Sequence, residues 1–494
     1  MRRKLPMFYS ALLLTGVNLL LRLVGTSFQV YISGRIGAAG VGLLQLVMSV
    51  GSLSMTAGIA GVRTATMYLT AEELGHKKPG NVRWVLSGCF LYSVICSGAV
   101  SALLYGFAPK IAESWIGDPQ TVEAIRLLAR FLPVTCLCAV MTGYFTAANR
   151  IGTLAAVEVA EQFCTMGVTV IALTFYAGSD PGRACTSVVL GSCAGACLTL
   201  VCLVFLRLRE KAVSGDRIPV RSRLLNTAVP LALADDLKAG ISTAENLMVP
   251  KRLARYPGFG DPLALFGMVC GMVFPVMMFP AAILFGLTEL LIPELARCNA
   301  AGSRVRIRYL MRRSLRTALL YGVICAGLLF LLSEDLCVAL YDSADAGRYL
   351  RLFAPLVPML YCDAITDAMT KGLGQQKICV RNNIITSAMD VAFLYILLPK
   401  YGISGYYFSF FVTHLINFIL SIRLLLKITG ERISLRIPAL ALLAAAAGVW
   451  LSAHLTGTVS TILSFLGITG SLLVLFGVVS KEDLLWLKGL LSKK

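Results

Sequence analysis

Stretches of about twenty apolar residues recur from residue 8 to the end of the chain, a spacing that fits a bilayer. They fall at roughly 8–32, 41–70, 84–108, 122–147, 151–177, 184–207, 224–250, 262–290, 310–333, 349–372, 380–399, 402–426, 435–454 and 458–479. Inside hydrocarbon a backbone amide finds no water partner, so each stretch must be a helix. The expected fold is an all-α integral membrane protein with about 14 transmembrane helices. The N-terminal run MRRKLPMFYSALLLTGVNLL imitates a secretory signal, but its apolar character continues past Arg22 and it has no convincing cleavage site. It is expected to be a retained first helix.

Charge in the loops tests this layout. Alternate loops are basic: His76, Lys77, Lys78 and Arg83; then the run from Arg207 to Arg223; then the run from Arg297 to Arg316; then Lys377 and Arg381; then Arg423 to Arg436. The intervening loops hold Glu113, Asp118, Asp180, Asp261, Glu334, Asp335, Asp342 and Asp345. Lys251, Arg252 and Arg255 are the main basic cluster on that second side. Because cytoplasmic loops collect Lys and Arg, both termini are expected in the cytoplasm of a bacterial plasma-membrane protein.

Composition excludes several classes. Hydrophobic residues make up 57% and charged residues 14%, with a mean hydropathy of +0.78. The net charge of +19 is an orientation signal, with some attraction to anionic lipid, rather than a nucleic-acid footprint. No loop is long enough for a soluble catalytic domain. The 15 cysteines lie scattered in apolar runs without zinc spacing. No phosphate-binding glycine loop of the P-loop type occurs, which leaves ATP out as the direct energy source. No cofactor and no metal site are expected; sodium-ion or proton coupling is the alternative energy source. The expected state is a monomer.

The seventh stretch, Leu224 to Arg252, carries Asp235, Asp236, Lys238 and Glu245. A charge at a helix centre costs roughly 2.5–3.5 kcal/mol on the insertion scale, against about 0.3–0.6 kcal/mol returned by each large apolar residue. Asp235, Lys238, Ser242 and Glu245 are spaced three, four and three apart and so share one face. That stripe is expected to line a wet or paired interior. The chain also shows an internal repeat. Arg130-Phe131-Leu132-Pro133 and Leu352-Phe353-Ala354-Pro355 each look like the opening of a helix, and pairing them pairs Gly152 with Gly374 without a gap. The implied organisation is an N-lobe at 1–215, a C-lobe at 216–430 and an addition at 431–494. Each lobe holds six helices, related by a pseudo-two-fold, and two extra helices follow.

Polar residues recur at helical period within several stretches. The first has Thr15, Asn18, Arg22 and Gln29; the second Gln45, Ser49, Ser52, Thr56 and Arg63; the fifth Glu158, Glu161 and Thr165. The tenth and eleventh offer Asp363, Asp367, Lys371, Asn383, Thr386 and Asp390. Their common solution is a polar cavity between two bundles. Arg22 and Arg63 suit a phosphate or pyrophosphate, helped by Asn18, Gln29, Gln45 and Ser52. Asp235, Lys238, Glu245, Glu158, Asp363 and Asp367 are candidates for lining the cavity or coupling. Internal ion pairs that only hold helices together are the rival reading of each. Two prolines, Pro275 and Pro280, interrupt the eighth stretch, as a bending gate or as static packing. His414 is expected to be a satisfied structural histidine.

Residues 31–42, YISGRIGAAGVG, and residues 266–295, FGMVCGMVFPVMMFPAAILFGLTELLIPEL, carry a family resemblance. With the 14-helix layout, the chain resembles the multidrug, oligosaccharidyl-lipid and polysaccharide exporter superfamily. The second stretch is similar to the stage V sporulation protein B and polysaccharide-biosynthesis branch. The resemblance implies a non-enzymatic carrier working by alternating access, with a lipid-linked glycan such as an undecaprenyl-pyrophosphate precursor as partner, in cell-wall, peptidoglycan or spore-wall synthesis. The lipid II flippase family has cavity arginines in helices 1, 2 and 8, and Arg22 and Arg63 match the first two. Helix 8 departs from that pattern, with Pro275 near the expected arginine, which argues against lipid II itself. Two other readings remain: a cation-coupled multidrug antiporter using Asp235, Glu245 or Asp363, and a magnesium-dependent prenyltransferase using Asp363 and Asp367.

Overall fold

The computed structural model describes residues 7–76, 78–178, 180–210, 220–257, 260–431, 434, 436–455 and 457–479. The described residues form seventeen α-helices, joined by short 3-10 and π segments. They are α1 (Met7–Ile59), α2 (Val62–Gly75), α3 (Val82–Lys110), α4 (Val122–Ala147), α5 (Ile151–Ala172), α6 (Pro181–Leu208), α7 (Val220–Leu253), α8 (Pro262–Met268) and α9 (Phe274–Met278). Then come α10 (Ala281–Ala300), α11 (Arg304–Leu331), α12 (Ser333–Tyr341), α13 (Ala344–Phe353), α14 (Val357–Gly372), α15 (Gln376–Thr429), α16 (Arg436–Ser452) and α17 (Thr458–Leu475).

Nine of the described helical runs are long and apolar enough to cross a membrane, or ten with one bent pair taken as a single span. Two runs, Leu20–Gly75 and Gln376–Thr429, each hold two of the expected crossings. In each, one glycine outside helical geometry makes the bend: Gly37 (φ 69°, ψ 174°) in α1 and Gly402 (φ 57°, ψ −132°) in α15. A side chain would resist a positive φ there, and its absence lets one crossing turn into the next without a loop. α7 falls outside the apolar set because of its charges, and α16 because of its 17-residue length. With these two, every expected stretch has its helix, and the molecule is an all-α multi-pass membrane protein.

Contacts group the chain into two compact units. One comprises Met1–Gly271 with Val391–Gly402; the other comprises Met272–Asp390 with Ile403–Lys494. In the first, α7 packs on α1, α2 and α3, and α8 packs on α1. Packing therefore groups α7 with the first six helices, although it follows the basic loop in sequence. Small residues allow the closest approach: a Cβ on Gly267 would overlap the carbonyl oxygen of Ala38, and one on Gly42 would overlap that of Leu263. The core lies at one end of α2, α3 and α4, around Leu69, Val85, Tyr144 and Phe145, with Leu203, Leu224 and Ala228 closing it.

In the second unit, α11 packs on α14 and α16, and α10 on α14. The eighth expected crossing is broken. Pro262–Met278 and Ala281–Thr288 meet at 63° across Phe279–Pro280, with a π segment at Val269–Val273 ahead of the break. The expected pairing of residues 131–133 with 353–355 aligns α4 with the α13–α14 pair. Neither motif opens a full helix, however: Pro133 lies inside α4, and Pro355 in a single 3-10 turn between α13 and α14.

Candidate functional site

Within the first unit, the polar residues of α1, α2 and α5 approach one another. Gly25 faces α5, where a Cβ would stand 3.6 Å from the Gln162 side-chain nitrogen. Arg22 lies one turn before Gly25 on α1, and Glu158 one turn before Gln162 on α5. Arg63, in the first turn of α2, lies close enough to Glu158 for its charge to act on that carboxylate, as Glu161 does from the same helix. Arg22 and Arg63 are exposed on their unit, and Glu158 is half-buried.

Local breaks set Arg63 in place. Ala60 (φ 43°) and Gly61 (φ 71°) end α1 and start α2 in a new direction. The Tyr92 hydroxyl of α3 donates to the freed Ala60 carbonyl at 3.2 Å. Gly61 packs against the Ala228 carbonyl of α7, and Gly143 of α4 against the backbone carbonyl of Arg63 itself, with no room for a Cβ at either position.

α7 is tied down at both ends of its contact with this group. Arg223 binds Glu72 at 2.8 Å and the nearly buried Glu73 at 2.9 Å, and Asn81 donates to Glu73 at 2.9 Å. Farther along, Thr243 donates to the Ser49 carbonyl at 3.1 Å and Asn246 to the Ser49 hydroxyl at 3.0 Å. That face is therefore committed to α1. Asp235, Lys238 and Ser242 are exposed, and Glu245 is half-buried. Asp236 was not singled out by spacing, yet its Oδ1 is sealed from solvent without a hydrogen-bond partner among the described residues, within electrostatic reach of Tyr92.

The remaining expected residues are dispersed. Gln29 is half-buried with its side-chain nitrogen sealed and unbonded among the described residues. Gln45 is half-buried near Gly271, and Ser52 is exposed. The side chain of Asn18 lies outside the described residues. Glu161 accepts from Thr199 of α6 at 2.7 Å.

The second unit holds its own group. Both oxygens of Asp363 accept from the Asn417 amide, at 3.0 and 3.3 Å. Asp367 pairs with Lys371 one turn along at 2.6 Å and accepts from the Cys379 thiol. This commits Asp367 to Lys371 on its own helix and to Cys379 of α15, and leaves the magnesium reading without its second ligand. Buried Asp390 accepts from Ser409 at 2.5 Å and Thr413 at 3.2 Å. His414 shares a 2.9 Å contact between Nδ1 and the Phe410 carbonyl.

Sequence reasoning missed the tyrosines around the broken crossing. Prolines and a π turn interrupt the helical hydrogen-bond ladder here, where a carbonyl within hydrocarbon needs a protein donor; the Pro280 carbonyl takes Ile283 N–H at 3.3 Å. Tyr361 donates to the Met277 carbonyl and Tyr321 to that of Pro280, both at 2.8 Å; Tyr341 reaches that of Met272 at 3.4 Å. Donor and acceptor lie 41, 69 and 84 residues apart in sequence, so no local pattern marked these tyrosines.

The described residues thus form a multi-pass bundle of apolar helices with charged side chains set within several of them. The MatE family model matches residues 15–157 and 260–396, and the chain belongs to that family, which is one of transporters and not of enzymes. In sequence it is similar to stage V sporulation protein B of Bacillus subtilis (strain 168), 22% identical over 420 residues, covering 80% of this chain and 78% of that one. It is also 21% identical over 372 residues to sporulation protein YkvU of the same organism, covering 67% and 82%. In fold it is similar to the lipid II flippase MurJ in an inward closed conformation, with a TM-score of 0.69 and 12% identity, covering 96% and 100%. An inward-facing multidrug resistance MATE family transporter of the MOP superfamily gives 0.67 and 12%, covering 84% and 98%.

Proposed function

We propose that this transporter flips a lipid-linked glycan precursor, carried on undecaprenyl pyrophosphate, across the bacterial plasma membrane by alternating access. The observation that carries the reading is that exposed Arg63 lies within electrostatic reach of half-buried Glu158, while α1, which bears exposed Arg22, packs against α5 at Gly25 and Gln162. A pyrophosphate headgroup would take both guanidinium groups in forked hydrogen bonds, and Glu158 would hold their place when the site is empty. Asn18, Gln29, Gln45 and Ser52 would contact the substrate. Asp235, Lys238, Glu245, Asp363 and Asp367 would line the path or couple it to an ion. Both termini lie in the cytoplasm, and the monomer works alone. The halves 1–215 and 216–430 descend from one repeat, with 431–494 added. Relatedness to two sporulation proteins supports a role in spore-wall synthesis.

The test is translocation of defined polyprenyl-pyrophosphate sugars by the purified protein in sealed vesicles. Transport by wild type and its loss in Arg22→Ala and Arg63→Ala, both still inserted, is the expected result. Undiminished transport in both variants would refute the reading. A second reading, a cation-coupled multidrug antiporter, rests on the half-buried Asp363 and its Asn417 partner; drug efflux abolished by Asp363→Asn would favour it.

A further inference from the structure

The end of α7 opposite Arg223 carries Lys251, Arg252 and Arg255, the cluster that breaks the alternation of basic and acidic loops. Within the first unit these residues rim a pocket of about 490 Å³. Its walls are Leu53, Ala244, Leu247 and Met248, with Trp115 and Tyr395 at the sides. Among the described residues no carboxylate lines it, whereas Arg223 at the other end sits on two. The Arg252 guanidinium lies 3.2 Å from the centre of the Tyr395 ring, and Lys251 donates to the Ser114 carbonyl. Arg252 and Arg255 are close enough for their like charges to act on each other. Three cations gathered where no described carboxylate lines the pocket call for an anion, and the apolar wall beneath them calls for a chain attached to it. Half-exposed Trp115 and Tyr395 are the side chains that settle at the level of lipid headgroups.

We infer that this pocket binds an anionic phospholipid, its phosphate at Lys251, Arg252 and Arg255 and its acyl chain along Leu247 and Met248. The site is separate from Arg22, Arg63 and Glu158 and does not depend on the proposed substrate.

Trp115 supplies the readout. The full-length protein, with its other three tryptophans replaced by phenylalanine, is reconstituted with brominated phosphatidylglycerol or brominated phosphatidylcholine. Quenching of Trp115 should reach half-maximum at about tenfold less phosphatidylglycerol than phosphatidylcholine. The triple variant Lys251→Gln, Arg252→Gln, Arg255→Gln should lose that preference. Met248→Glu, which keeps the cations but adds a charge to the pocket, should lose it too. Arg221→Gln, at the other end of α7, should retain it. Circular dichroism and gel filtration confirm that each variant compared is folded. Equal quenching by the two lipids overturns the proposal. So does displacement of the lipid by millimolar inorganic pyrophosphate, which would make this a free-anion site.

Discussion

The Tyr361 hydroxyl stands 2.8 Å from the carbonyl oxygen of Met277, with both residues buried in the second unit. Removing the hydroxyl leaves that carbonyl without this donor, where a replacement water is hard to find. Tyr361→Phe should therefore lower stability by about 1–3 kcal/mol, read as an earlier thermal transition of the purified protein. Tyr401→Phe, at an exposed position, serves as the control. Equal transitions in the two variants would remove the carbonyl-satisfaction account of the broken crossing.

Arg223 and Glu73 give a second measurable pair. Glu73 is nearly buried, and Arg223 is about one-third exposed, so solvent screens only one partner. A double-mutant cycle with Arg223→Gln and Glu73→Gln should show a coupling of about 1 kcal/mol. No coupling would mean that α7 is held by its contacts at Ala228 and Ser49 alone.

Glu158→Gln separates the substrate reading from a purely structural ion pair. If Glu158 competes with a phosphate for Arg63, its neutralisation should tighten pyrophosphate-lipid binding by roughly tenfold, since that factor needs only about 1.4 kcal/mol. A structural pair predicts the reverse, with lower stability and unchanged or weaker binding. Titration of the wild type and variant with the same lipid decides between them.

Gly267→Val tests the contact between α1 and α8. A side chain there collides with the Ala38 carbonyl, and overpacking of this kind costs about 1–3 kcal/mol. The thermal transition should fall accordingly. Gly16, with open space around its Cβ position, should tolerate alanine in the same assay.

Much of the helix plan was open to reading because hydrocarbon leaves the chain little choice. Runs of about twenty apolar residues sufficed to place most helices, and α7, too charged for that test, showed itself by its polar stripe. What stayed hidden depended on distance rather than pattern. Glu158 and Glu161 are three residues apart and look equivalent on a helical period, yet one lies within electrostatic reach of Arg63 and the other accepts from Thr199. The pair Asp363 and Asp367 resembles a metal motif by spacing, until Asn417 and Lys371 are seen to hold them. The phenols at Tyr321, Tyr341 and Tyr361 come from helices well separated in sequence from the prolines they serve, so no local window contained both.

The two bends at Gly37 and Gly402 bear on how the protein meets its surroundings. Where one span turns into the next within a single residue, there is almost no polypeptide standing in water. A protease added to sealed vesicles would find little to cut at either turn, and an epitope inserted there would have to unwind a helix to be seen.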